Sequence, residues 1–290
     1  MGEVRERKKD RITTLILAGI MLVGIILIAY PTIADWWNSY QASRVIIDYT
    51  NKIEDMDDQE FDEMLAEARE YNNSLLTKPH RYNPDEEELT HYKSVLDVMG
   101  NGLMGYIDIP KIRVTLPVYH TIDDEILERA IGHVPGTSLP VGGESTHCVL
   151  SGHRGLPSAK LFTDIAVLSE GAIFQIKVLN ETLTYEIDQI RTVLPYEMQD
   201  IQIEEGKDYC TLVTCTPYGV NTHRLLVRGH RIETVDDLRV SAEAIQMNQY
   251  HIALAIGTVL IIIVLAVWLI VSKYRSEKNK RKDTDWRTDK

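Results

Sequence analysis

Three residues in this chain of 290 stand where a run of strand-forming residues gives way to a loop. Cys215 closes YCTLVTC ahead of TPYGVNTH, His153 closes a β-rich run in LSGHRG, and Arg224 opens HRLLV. Most free cysteines are buried and inert, but a thiol at a strand end is placed where a substrate can reach it. A cysteine with an ordinary pKa of about 8.5 is only a small fraction thiolate at neutral pH, so nucleophilic work needs an imidazole to take its proton or steady the anion. His153 fits that need. Attack on a carbonyl drives negative charge onto its oxygen, and a guanidinium, permanently charged and unable to act as a base, suits that site. Arg224 fits there, and the chemistry implied is acyl transfer through a thioester. A phosphatase loop is excluded, since it requires C-x5-R at a helix start and Arg224 lies nine residues beyond Cys215 in a strand pattern. His120, His133, His147 and His230 lie in or beside strand runs without metal-ligand spacing and are expected to be structural. His223, next to Arg224, is the exception. No metal and no cofactor is expected.

These residues need a scaffold that brings strand ends together. From Gly105 the chain offers short β-branched runs broken by Gly and Pro: GYIDIPKIRV, LPVYH, THCVLSGH, AIFQIKVLN, TLTYEIDQIRTVL, YCTLVTC and HRLLVRGHRI. DDEILERAIGH and SAKLFTDI read as short helices between them. The expectation is a mainly β fold, a closed or nearly closed barrel with helical insertions. Ahead of it, residues 33–76 are helical in pattern, interrupted by an acidic knot at 54–58. Phe61, Met64, Leu65 and Ala68 mark one apolar face. Residues 77–88, TKPHRYNPDEEE, read as an irregular loop.

Two uncharged runs frame this segment. Residues 12–30 would span about 28 Å as a helix, close to the hydrocarbon thickness of a bilayer. Residues 251–272 form a second and longer run. The first exceeds a usual signal-peptide core and is followed by YPTIADWW, without a clean cleavage site, so an uncleaved anchor is expected. Nothing resembling LPxTG precedes the second, so it is not a cell-wall sorting tail. Basic residues flank the outer ends of both runs, so both termini are expected in the cytoplasm and the middle outside the cell. The whole chain has a formal charge of −12, and the part between the spans holds 18 basic against 36 acidic side chains. That balance excludes a nucleic-acid partner. Three cysteines without a C-x-x-C pair exclude a disulfide framework and a zinc ribbon.

The runs MGYIDIPKI, LPVYHTIDDEIL, GHVPGTSLPVGGESTHCVLSGHRGLPSAKLFTDI and TLVTCTPYGVNTHRLLVRGHRI resemble the sortases, cysteine transpeptidases of Gram-positive cell surfaces. The resemblance covers roughly residues 102–232, and two spans with a helical extension make the chain most similar to the class C, pilus-assembling branch. It implies that Cys215 attacks the Thr–Gly bond of an LPxTG-type sorting signal. His153 would serve the leaving and incoming amines, and Arg224 the oxyanion. The thioacyl group would pass to a lysine amine of another pilin, the partner class being pilin or surface proteins with such signals. A housekeeping-type sortase that joins proteins to peptidoglycan is the alternative. Ser151, Leu161, Thr214 and His223 are expected to contact the substrate.

The organisation expected is therefore a cytoplasmic tail (1–11), a transmembrane helix (12–30) and an extracellular helical extension (31–101). A sortase-type β-barrel (102–232), a linker (233–250), a second transmembrane helix (251–272) and a basic cytoplasmic tail (273–290) follow. Class C enzymes commonly carry a lid with an Asp-Pro-aromatic anchor. The loop at 77–88 has the length but has only Lys78-Pro79-His80 and Asn83-Pro84-Asp85, so a weak plug is expected. Cys148 and Cys210 each lie five residues before His153 and Cys215, at a similar level of strands that are parallel neighbours in the sortase barrel. They are expected either as a disulfide or as adjacent buried thiols.

Overall fold

The computed structural model describes residues 2–234 and, beyond them, only Gly257. The linker after Thr234, the second apolar run and the basic tail lie outside the described residues.

Helix α1 (Gly2–Glu54) is followed by α2 (Asp58–Leu75) and α3 (Glu86–Ser94). The acidic knot is the break between the first two, and its acids have a use there. The Asp57 side chain accepts from the Glu60 N–H while the Glu60 carboxylate accepts from the Asp57 N–H, a reciprocal cap that satisfies two orphan donors. Asp85 and Glu88 repeat the device at the start of α3, so the irregular loop ends three residues earlier than the composition implies. Along α2, Phe61, Leu65, Ala68, Asn72 and Leu75 are buried at helical spacing, with Met64 packed at the edge. Asn72 acts as a peptide surrogate: its amide accepts from the Leu139 N–H (2.6 Å) and donates to the Leu139 carbonyl (3.2 Å), fastening α2 to the barrel.

Eight strands follow: β1 (Leu103–Ile109), β2 (Val114–His120), β3 (Ile131–His133), β4 (Thr146–Ser151), β5 (Ile173–Val178), β6 (Glu181–Val193), β7 (Asp208–Thr216) and β8 (His223–Ile232). They close in the order β1-β2-β3-β4-β7-β8-β6-β5. The barrel expected from the sequence is present, with one strand more than the runs implied. The C-terminal part of DDEILERAIGH is β3, leaving a single helical turn, α4 (Asp124–Leu127), before it. SAKLFTDI is a loop that ends in a 3-10 turn over Thr163–Val167. The strand pairings fix the polarity of the whole cylinder. At one pole β1, β4, β6 and β7 end, and β2, β3, β5 and β8 begin.

Alternation along the strands separates two apolar layers. Cys148 and Leu150 of β4, Cys210 and Leu212 of β7, and Leu225 and Val227 of β8 belong to the main core with Phe174 and Tyr185. Their strand neighbours Val149, Val213 and Leu226 face outward and form a separate cluster with Ile201, Val193, Met198 and Tyr82. Among the described residues, one helical stretch is long and apolar enough to cross a membrane: Gly19–Glu54 within α1, whose apolar part is unburied.

Candidate active site

Cys215 and Arg224 are direct partners across the antiparallel β7/β8 pair. Each lies two residues from a member of the outer cluster, Val213 and Leu226, so both project from the outward face at the pole where β7 ends and β8 begins. Side chains paired in this way have β-carbons about 5 Å apart. The Arg224 guanidinium donates through Nη1 to the Asn221 and His223 carbonyls, both at 3.2 Å, so the loop between the strands sets its orientation.

His153 comes to the same pole from the other side of β7. β4 runs parallel to β7 with Ser151 opposite Val213, and that register continued by two residues puts His153 at the level of Cys215. The continuation is stitched in place: the Gly152 N–H donates to the Val213 carbonyl (3.0 Å) and the Thr214 hydroxyl to the Gly152 carbonyl (2.7 Å). Position 152 has to be glycine, because a β-carbon there would lie 2.6 Å from Ile131 Cδ1 and 2.8 Å from the Phe162 ring. The His153 carbonyl accepts from the Phe162 N–H at 3.1 Å, closing the loop behind the imidazole. Cys215 itself is half-buried, reachable yet sheltered on one side.

Of the expected substrate contacts, Ser151 and His223 are half-buried at this pole, with His223 Nδ1 2.9 Å from the Thr222 hydroxyl. Leu161 is buried in the core, and Thr214 is buried with its hydroxyl committed to Gly152. A residue that sequence reasoning passed over is Arg154. Its Nη1 donates to the Thr216 hydroxyl (3.1 Å) and its guanidinium carbon lies 5.8 Å from the Tyr218 ring centroid. Its Nε is buried and has no partner among the described residues. Adjacency to His153 in HRG was the available signal.

The loop before α3 crosses the outer cluster. Tyr82 packs beside Val149, Ile201 and Leu226, and its hydroxyl donates to the Ile201 carbonyl at 3.2 Å. Arg81 donates to Gln202 Oε1 at 2.8 Å. The chain passes so close to Gly136 that a β-carbon there would collide with the Arg81 carbonyl. The aromatic that this loop sets on the outer cluster is Tyr82, two residues ahead of Pro84, whereas an Asp-Pro-aromatic would place one after the proline. It rests on the apolar floor two residues short of the Cys215–Arg224 pair.

The remaining polar groups are scaffold. His147 donates from Nδ1 to the Gln202 carbonyl (2.8 Å), leaving Nε2 to accept from the Thr211 hydroxyl (2.7 Å). A neutral ring satisfies both bonds, and burial lowers its pKa to about 4. His120 and His133 are also buried, each with both ring nitrogens in hydrogen-bond contact. Cys148 and Cys210 stand opposite each other on β4 and β7, buried and unbridged, which decides between the two alternatives the spacing left open. Burial pushes the Cys210 thiol well up. Among the described residues no group of three or more His, Cys, Asp or Glu side chains is arranged to hold a metal.

The sortase domain profile matches residues 107–232. The crystal structure of sortase C1 from Streptococcus agalactiae shares 50% identity, covering 66% of this chain and 100% of that one, with a TM-score of 0.65. A sortase C from Clostridium perfringens, solved with the C-terminal cell wall sorting motif, is 41% identical over 66% of this chain and 99% of that one, TM-score 0.59. The curated sortase A of Bacillus anthracis is 23% identical over 226 residues, 78% of this chain and 97% of that protein.

Proposed function

The chain belongs to the sortase family, in class C, and is a cysteine transpeptidase; from that premise we propose that it is a membrane-anchored enzyme that polymerises pilin. In this reading Cys215, as thiolate, attacks the threonine carbonyl of an LPxTG-type signal. Arg224 stabilises the oxyanion. His153 protonates the departing glycine amine, and the acyl group stays on Cys215 as a thioester. A lysine amine of the next pilin then gives its proton to His153, attacks the thioester and releases the thiolate, leaving an isopeptide bond. The observation that carries the assignment is the convergence of two strand pairings on one level, Cys215 opposite Arg224 and β4 leading His153 to the same height. The Clostridium perfringens enzyme solved with a sorting motif supports the substrate class.

The apolar part of α1, unburied among the described residues, is the anchor in this proposal, and residues 251–272 return the chain to the membrane. Residues 76–85 form a lid held by Tyr82 and Arg81, covering the floor on which the apolar part of the sorting signal lies. The test is incubation with an LPxTG peptide and, as competing acceptors, a pilin subunit and a peptidoglycan-stem amine. Lysine-linked pilin conjugates are expected, lost in Cys215→Ala. Exclusive transfer to the stem amine would overturn the pilus reading in favour of a housekeeping-type sortase.

A further inference from the structure

The route of α1 along the barrel fixes which pole lies nearest the end of its apolar run. The helix contacts the barrel through Asp35, Ala42 and Tyr49, spaced by sevens along one face, with Asn38 between. At the first contact the Lys160 N–H donates to Asp35 Oδ1 (2.8 Å) and Asn38 donates to the Arg129 carbonyl (3.4 Å). Lys160 lies in the loop that follows His153 and so belongs to the catalytic pole, while Arg129, next to Ala130 of the Tyr49–Leu103–Tyr119 cluster, lies on the flank between the poles. At the last contact the buried Tyr49 hydroxyl donates to the Met104 carbonyl (3.0 Å) and accepts from the Leu179 N–H (2.8 Å). Those groups sit at the start of β1 and in the β5–β6 turn, the opposite pole. From Asp35 to Tyr49 is about 21 Å at the helical rise, enough to cross the barrel from end to end.

The apolar run ends at Tyr30, about 8 Å of helix before Asp35, and the headgroup layer is about 5–8 Å thick on each side of the hydrocarbon. Pro31 lies between the run and the first contact, so a bend there tilts the barrel without exchanging its poles. The side chains at the rim match such a neighbour. Outside α1, six large hydrophobic side chains are exposed among the described residues, and the four most exposed are Val167, Tyr196, Tyr218 and Val220. All four belong to the loops that leave or enter the catalytic pole: Tyr218 packs on Gly155, Tyr196 follows β6, and Val167 ends the turn after the His153 loop. On α1 itself, Trp37 is exposed beside Trp36 and Tyr40, the residue types that favour the membrane–water boundary.

We infer that the catalytic pole faces the bilayer, held about one headgroup layer above the hydrocarbon by α1 acting as a strut, with the apolar rim resting on the lipid surface. The partner surface is the bilayer itself, and the cleft receives its peptide from the plane of the membrane. This rests on the anchoring proposed above.

The experiment uses the full chain in phosphatidylcholine vesicles carrying a nitroxide on the lipid headgroup. A fluorophore is attached at Val167→Cys, or at Asn180→Cys in the β5–β6 turn of the far pole, both in a Cys215→Ala background where the two remaining thiols are buried. Quenching at 167 is expected to exceed that at 180 by at least about threefold, given a separation of about 21 Å along the strut. Equal quenching, or the reverse order, in a chain that floats with the vesicles would overturn this inference alone. A chain that does not float with them would overturn the anchoring and this inference together.

Discussion

Tyr82→Ala should convert a closed cleft into an open one. The side chain is half-buried in the outer cluster with Val149, Ile201 and Leu226, and its hydroxyl adds one bond to the Ile201 carbonyl. Truncating a fully buried aromatic costs about 3–5 kcal/mol, so a half-buried one sets roughly 2 kcal/mol against closure. That is about a 30-fold shift of the lid equilibrium toward open. Where the closed form dominates, kcat/KM for a soluble LPxTG peptide should rise by roughly 10- to 30-fold. Arg81→Ala, which removes an exposed bond to Gln202, should add about threefold at most. The assay is steady-state cleavage by the full chain, with thermal unfolding as a control for damage to the barrel. A Tyr82→Ala enzyme that unfolds normally and cleaves within twofold of the wild type would refute the reasoning, because the floor would then already be open to peptide. The missing Asp-Pro-aromatic makes a weak plug the expectation from the sequence, and the contacts of Tyr82 and Arg81 with the outer cluster are the ground for proposing a firmer one.

Acid should weaken the fold through His147. Its folded pKa, at about 4, lies below the unfolded value of about 6.5, so the unfolded chain binds more protons between those limits. The contribution is complete above pH 6.5 and is lost as pH falls to about 4, amounting to roughly 3 kcal/mol. Denaturant titrations at pH 7 and pH 5 should show the loss, and His147→Asn should flatten it; an unchanged slope in that variant would assign the acid sensitivity elsewhere. Asn72→Ala leaves buried backbone groups at Leu139 unpaired and should cost about 2–4 kcal/mol, seen as a lowered Tm. A shift under 1 °C would mean that α2 is not fastened there. Alkylation of the native chain should modify Cys215 alone, and denatured protein should take up three equivalents. Rapid native labelling at Cys148 or Cys210 would contradict their burial.

The barrel was legible because β-branched alternation is a local signal that survives without knowledge of partners. Every run named from the sequence contains a strand. β3 was not, since three residues joined to a helical turn carry no periodicity of their own, and its pairing with β2 and β4 is what makes it a strand. The trio proposed to react could be named from strand ends, because a loop following a β run is where a side chain becomes accessible. Its assembly depends on the parallel β4–β7 register, a long-range fact that no local pattern contains. The same limit hid Tyr82, whose partners lie more than sixty residues away in three different elements. Leu161 and Thr214 show the reverse: nearness in sequence to His153 and Cys215 did not carry exposure, because alternation turns Thr214 away from the face its neighbour occupies.

Intact-mass measurement of the full chain incubated with an LPxTG peptide tests the central claim most directly, namely that one thiol, one imidazole and one guanidinium serve a single scissile bond. An adduct of the peptide's acyl part should map to Cys215, discharge on adding a primary amine, and be slowed at least about 100-fold by His153→Ala or Arg224→Ala. No adduct in any variant, or cleavage that persists in Cys215→Ala, would contradict it.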